Sequence, residues 1–283
     1  MDISFSPWLN SLVIWVLITF LPIYTIVLVI TSIGFFRYLY FITIGYASTI
    51  LSLSLFSMVF YWKNISFTNI FQLILLALYG LRLLVFLIHR ETTQNSYQKE
   101  IESIDQKSIK IPLFAKIFTW IIVSLLYVLM FSPVLFNLQT SNHPICFIQS
   151  FGLMIMLFGF SLEIIADQQK TIYKTKHPHH YCDIGIYRWV RFPNYLGEIL
   201  FWIGNWTSAW LAYQSSINWL LSLTGLIGII FVMLVSSYRL EQKQLERYKG
   251  DSEFLQYIRS TPILIPWLPI YSIKSIVKPF FNT

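Results

Sequence analysis

Apolar runs long enough to cross a bilayer recur along this chain, and they constrain its fold more than any other feature. A spanning helix needs about 20 mostly apolar residues. Seven stretches qualify, at approximately 11–33, 38–61, 67–89, 113–136, 145–166, 194–213 and 217–236. Hydrophobic residues make up 56% of the 283 and charged residues only 12%, which excludes an ordinary soluble domain. The chain therefore reads as all-α, a polytopic membrane helix bundle of about seven transmembrane helices forming a single membrane domain over residues 1–283. The sixth segment is amphipathic. Its Asn194, Glu198, Asn205 and several Trp side chains suit a re-entrant or cavity-lining helix better than a lipid-facing one.

Lys and Arg concentrate in alternate loops, and cytoplasmic loops carry that excess. Arg37 lies in the first loop, Arg90, Lys99, Lys107 and Lys110 in the third, and Lys170, Lys174, Lys176, Arg188 and Arg191 in the fifth. The tail adds Arg239, Lys243, Arg247, Lys249, Arg259, Lys274 and Lys278, whereas loops 62–66, 137–144 and 214–216 hold only Lys63. This pattern puts the N terminus outside and the C terminus in the cytoplasm. The first ten residues carry no positive n-region and include Asp2, so the first apolar run is expected to be retained rather than cleaved. The net charge of +7 is concentrated in the expected cytoplasmic segments, where it serves topology and attraction to anionic membrane lipids, with no nucleic-acid motif to use it. Cys146 and Cys182 fall on opposite sides of the expected topology and cannot pair.

The richest polar segment runs from Tyr187 to Trp202, where Arg188, Arg191, Asn194, Tyr195 and Glu198 crowd the mouth of an apolar run. A carboxylate such as Glu198, about one turn inside that run, is costly unless paired or facing a polar cavity. It marks a site. The preceding loop adds Asp167, Lys170, Lys174, Lys176, His177, His179, His180 and Asp183. The H-x-H-H spacing lacks a zinc pattern and Pro178 opposes a helical one, so no metal is assigned. The cations suit phosphate oxygens instead. No GxGxxG or P-loop is present, so a nucleotide would need a non-Rossmann cradle.

Beyond the last apolar run, Ser237 to Tyr248 continues the helix with strong helix formers until Gly250 ends it. Phe254, Tyr257 and Ile258 then share one helical face. Pro262, Pro266 and Pro269 break the following apolar stretch into a piece too short and kinked to span, expected at the membrane interface. Glu91 to Lys110 reads as a surface loop with a short helix.

The segments Ala166 to Lys170, Gly185 to Glu198 with its Pro-Asn-Tyr-Leu-Gly-Glu, Glu241 to Tyr248 and Tyr257 to Pro266 resemble the C-terminal region of the steroid 5-alpha reductase family. Within that family the chain is most similar to the bacterial DUF1295 branch, over roughly residues 70–270. The resemblance implies a seven-helix bundle whose core, residues 67–270, holds NADPH on a cytoplasmic face and transfers hydride to an activated carbon–carbon double bond of a lipid. It implies cofactor roles for Asp167, Lys170, Tyr187, Arg191, Asn194, Tyr195, Glu198 and Glu241. It also implies that Tyr79 hydrogen-bonds a substrate ketone while Arg82 faces the cofactor. The family pairs that tyrosine with a glutamate in the second helix, whereas residues 38–61 here hold no carboxylate. Position 192 is Phe where many relatives have His.

Two other readings stay open. Isoprenylcysteine and phospholipid methyltransferases, which use S-adenosylmethionine, resemble the same C-terminal stretch, and a lipid-binding protein without activity can use the same fold. The resemblance places the protein in a bacterial inner membrane, or in the endoplasmic reticulum if it is eukaryotic.

Overall fold

The computed structural model describes residues 20–140 and 146–272. The start of the expected first span, together with Lys274 and Lys278, lies outside the described residues. Every regular element among the described residues is helical: α1 (Phe20–Phe35), α2 (Ile44–Phe60), α3 (Phe67–Thr93), α4 (Asn95–Ser108), α5 (Leu113–Gln139), α6 (Phe147–Lys176), α7 (Pro193–Ser208), α8 (Ser216–Arg247) and α9 (Ser252–Ser260). Five segments are long and apolar enough to cross a membrane: Tyr38–Phe60, Phe67–Thr93, Leu113–Gln139, Phe147–Lys176 and Ser216–Arg247. The protein is an integral membrane protein. The expected sixth span is α7, whose 16 residues rise about 24 Å, short of a hydrocarbon core of about 30 Å.

The helices group into two compact units, one built from α1 to α5 with Ser215–Gly225 and the other from α6, α7, the rest of α8, and α9. In the first, α3 opens on a Ser66 cap whose hydroxyl accepts from the Asn69 N–H at 3.3 Å. Gly80 lets α2 approach, since a Cβ there would sit 2.7 Å from the Leu51 nitrogen. Buried polar side chains tie α3 to α5: the Asn69 amide donates to the Asn137 carbonyl at 3.1 Å, and the Asn137 amide donates to Gln72 at 2.9 Å. Such groups inside an apolar bundle persist because they satisfy one another.

The third loop is more ordered than the sequence implied. Here α3 runs on to Thr93, and α4 covers 14 residues with Tyr97 and Ile101 buried. Glu91 binds the Arg37 guanidinium at 2.7 Å and accepts from the Tyr40 hydroxyl at 2.6 Å. Arg37 also lies 3.9 Å from Asp105. First and third loops thus meet at one end of the unit, as helix alternation requires.

In the second unit, α6 and α7 pack through reciprocal glycines seven residues apart, Gly152 and Gly159 on one helix and Gly197 and Gly204 on the other. A Cβ on Gly159 would lie 2.5 Å from the Gly197 carbonyl, and one on Gly204 would lie 2.4 Å from the Met156 nitrogen. Small residues let membrane helices gain dispersion contacts where no hydrophobic drive exists between them. A seven-residue period also matches the left-handed crossing of such pairs. Gly250, at φ 93°, ends α8 as the sequence predicted, and the Asp251 side chain caps α9 by accepting from the Glu253 and Phe254 N–H groups. Phe254 is buried with Tyr181 and Tyr248, flanked by Tyr257 and Ile258, which confirms the expected α9 face.

Candidate functional site: a buried arginine–glutamate pair beside an open cleft

Arg191 precedes α7 at a point where two backbone hydrogen bonds hold the chain. Its N–H donates to the Pro262 carbonyl at 2.9 Å, and that of Phe192 donates to the Ile263 carbonyl at 3.1 Å. Phe192 packs with Ile263 and Leu264, so it serves as an apolar anchor for the tail. With its backbone fixed, Arg191 turns inward. Its Nη2 donates to Glu241 Oε1 at 2.7 Å and to the Tyr271 carbonyl, with the two charged side chains only 1% and 5% exposed. The Ser272 hydroxyl reaches Glu241 Oε2 at 3.5 Å.

The guanidinium is only partly used. Nε and Nη1 of Arg191 are buried and have no hydrogen-bond partner. Buried donors left unpaired cost about 1–3 kcal/mol each, more when charged. Beside the pair opens a cleft of about 320 Å³ lined by Glu241, Gln242, Ile258, Arg259, Tyr271 and Ser272. Within that lining an exposed arginine, Arg259, and a carboxylate acceptor, Glu241, suit an anionic, hydroxyl-bearing ligand.

None of the other expected cofactor residues of the second unit lines this cleft, and each takes its own position. The Tyr187 hydroxyl donates to the Ala166 carbonyl at 3.2 Å, and the Tyr257 hydroxyl donates to the Tyr187 carbonyl at 2.7 Å. Burial raises both phenols above their ordinary pKa, with Asp167 adding to the effect on Tyr187. The Tyr187 proton is committed to the fold, which makes the ring a wall rather than a donor. Asp167 and Lys170 follow Ala166 on α6, both half-buried. Tyr195 packs 5.9 Å from the Phe192 ring, Asn194 is half-buried on the first turn of α7, and Glu198 is buried beside Gly197.

Glu163 belongs with them. It is buried on α6, one turn before Asp167, and its backbone meets Gly197, so the α6–α7 contact carries two buried carboxylates, Glu163 and Glu198. The argument that marks Glu198, a carboxylate inside an apolar run, applies equally to Glu163 and was legible in the sequence.

Tyr79 and Arg82 lie on α3 in the first unit. Tyr79 is fully buried, and its hydroxyl sits 3.0 Å from that of Tyr46 on α2. The Tyr46 ring lies 5.1 Å from that of Tyr127, whose hydroxyl donates to the Phe41 carbonyl at 2.8 Å. One turn along α2, the buried Thr49 hydroxyl has no partner. A phenol therefore stands beside Tyr79 where the family resemblance supplies a carboxylate. Arg82 reaches the Phe86 ring at 5.5 Å.

An all-helical membrane protein with a buried arginine–carboxylate pair beside an open cleft is the class this fold defines. The chain belongs to the DUF1295 family, described as proteins of unknown function, whose model matches residues 40–261. The match starts earlier than the resemblance read from the sequence and takes in α2 with Tyr46. An uncharacterised protein of Schizosaccharomyces pombe is 26% identical over 163 residues, 48% of this chain and 45% of that protein. The chain thus covers less than half the length of that curated relative. No solved structure matches the chain.

Proposed function

We propose that this protein is an NADPH-dependent membrane reductase acting on a carbon–carbon double bond conjugated to a carbonyl in a hydrophobic lipid. The observation that carries this reading is the cleft that offers the Arg259 guanidinium and the Glu241 carboxylate together, with Glu241 held in place by its buried ion pair to Arg191. Phosphate oxygens pair with a guanidinium such as that of Arg259, and a nucleotide's ribose hydroxyls can donate to the carboxylate. The family resemblance would add Asp167, Lys170, Asn194, Tyr195 and Glu198 to the cofactor's contacts, with the Tyr187 ring as a fixed wall.

Bound NADPH would supply a hydride to the carbon β to the carbonyl, leaving as NADP⁺, and the resulting enolate would take a proton from water at the α carbon. The chain's part is electrostatic. Tyr79, held by Tyr46 at 3.0 Å, would donate a hydrogen bond to the carbonyl oxygen as it gains enolate charge, and stabilising charge where it develops is commonly the largest catalytic contribution. A neutral phenol pair donates less strongly than a phenol–carboxylic acid pair. It therefore suits a substrate already activated by conjugation.

The test is a binding titration of purified protein with NADPH, NADH and S-adenosylmethionine side by side. NADPH is expected to bind more tightly than NADH, because the adenosine 2′-phosphate adds charge opposite exposed cations, and added salt should narrow the difference. Stabilisation by S-adenosylmethionine alone would replace the reductase with the methyltransferase reading.

A further inference from the structure

Between Pro262 and Ser272 the tail forms a strap with two unlike faces. On its inner face Ile263 and Leu264 are buried against Phe192 and against Leu234, Tyr238 and Leu240 of α8. The loop closes on itself, the Ile263 N–H donating to the Ile270 carbonyl at 2.9 Å, with Pro266 and Pro269 stiffening it. Trp267 occupies the left-handed region at φ 64°, a conformation that costs an ordinary residue of order 1–3 kcal/mol and that turns its ring outward. The outer face is strongly apolar. Trp267 is 84% exposed and meets the Trp189 ring, itself 59% exposed, edge-on at 6.1 Å, while Ile265 and Leu268 are exposed beside them.

What covers this face follows from its level along α8. The apolar run of that helix ends near Val235, and Arg239 then begins a charged stretch. The strap packs on Leu234, Tyr238 and Leu240, astride that transition. In a helix that crosses the membrane, this transition is the boundary between acyl chains and headgroups. Exposed Arg188 adjoins Trp189 in the chain, exposed Arg239 lies between the strap contacts Tyr238 and Leu240, and exposed Arg259 lines the cleft with Tyr271 and Ser272. Tryptophan next to arginine is the composition that boundary selects, because the ring is apolar with one polar edge and the cations pair with anionic headgroups.

We propose that the outer face of the Pro262–Ser272 strap, with Trp189, seats in the headgroup–acyl boundary of the bilayer the chain spans. This holds whether or not the protein is a reductase. It also gives the cleft a membrane-fixed wall, since Tyr271 and Ser272 line it and the Tyr271 carbonyl holds Arg191.

The test uses the full-length chain in phosphatidylethanolamine–phosphatidylglycerol vesicles, in a Cys146→Ser, Cys182→Ala background. An environment-sensitive fluorophore is placed in turn at Trp267→Cys, Trp189→Cys and, as an exposed polar control, Gln256→Cys. At 267 and 189 we expect blue-shifted emission, severalfold stronger quenching by lipids labelled near the headgroup than by lipids labelled at the chain end, and weak quenching by aqueous iodide. At 256 iodide should quench strongly. Iodide quenching at 267 and 189 equal to that at 256 overturns the proposal. Protection from both iodide and lipid quenchers also overturns it, because a protein surface would then cover the face. Two independent label sites keep the test decisive if one substitution disturbs folding.

Discussion

Glu241→Gln isolates the arginine–carboxylate pair. The substitution keeps shape and removes charge, leaving the Arg191 guanidinium, 1% exposed, without a counter-ion at 2.7 Å. Breaking one side of a buried ion pair costs about 3–5 kcal/mol, most of it the penalty for the charge left behind. For a chain of this size, each kcal/mol shifts the melting temperature by roughly 2–4 °C, so the apparent Tm should fall by on the order of 10 °C. The informative comparison is the double variant Arg191→Met, Glu241→Leu, which removes both charges and keeps volume. Replacing a buried pair by apolar groups is often neutral or better, so most of the lost Tm should return. NADPH binding should not return, because the Glu241 carboxylate that lines the cleft is gone. Melting in detergent by intrinsic fluorescence, with and without NADPH, reads both quantities. A Glu241→Gln protein with unchanged Tm and unchanged NADPH affinity would show the pair to be solvated and the assigned site wrong, whereas a double variant that melts like wild type and still binds NADPH would make the pair a strut.

Gly197→Ala would put a Cβ 2.7 Å from the Gly159 carbonyl and 2.8 Å from the Glu163 nitrogen, backbone atoms that cannot swing aside, so it should destabilise by about 1–3 kcal/mol or more in the same melting assay. Tyr79→Phe should leave NADPH affinity unchanged and slow turnover, and Tyr46→Phe should lower kcat by a smaller factor, because it acts through Tyr79 at 3.0 Å; loss of cofactor affinity in Tyr79→Phe would move that residue to the cofactor side. Burial pushes the Tyr181 phenol up to about 12 and raises Tyr187 and Tyr257, so the folded state holds protons the unfolded chain releases near pH 10. Stability should be flat below about pH 10 and fall as pH rises from there towards 12, and a 295 nm titration showing all tyrosines ionising near 10 would contradict the buried cluster. Single cysteines at Thr140 and Gln214 should label from outside and those at Asp105, His179 and Ser252 from the cytoplasm, and external labelling at His179 would put the proposed nucleotide site in the wrong compartment.

How much of this was legible differs from element to element. Long apolar runs announced the transmembrane helices because the cost of burying polar groups in hydrocarbon acts residue by residue. Local chemistry also sufficed for the Gly250 stop and the apolar face of α9. The sixth run was apolar enough to suggest a span, but Pro193 at its start and the turn at Ala209 into the short 3-10 stretch Trp210–Ala212 limit α7 to 16 residues. The glycine period across α6 and α7 is present in the sequence as Gly152, Gly159, Gly197 and Gly204, yet a glycine shows its purpose only when a second backbone arrives within 3 Å. Glu163 needed no structure, only the argument already applied to Glu198.

Pairing belongs to the tertiary structure alone. Arg191 and Glu241 stand 50 positions apart, and nothing local ties them; the tail's backbone bonds to residues 191 and 192 set that geometry and leave two donors unmatched. Tyr46 is one of many tyrosines in apolar helices until the close contact of Gly80 with α2 brings its hydroxyl to Tyr79. Transfer free energy depends on each residue's own chemistry, so the sequence by itself determined that this is a helical membrane protein and where most of its helices lie. Hydrogen bonds and ion pairs depend on distances between residues far apart in the chain, so only the fold decided which polar groups meet and which line the cleft.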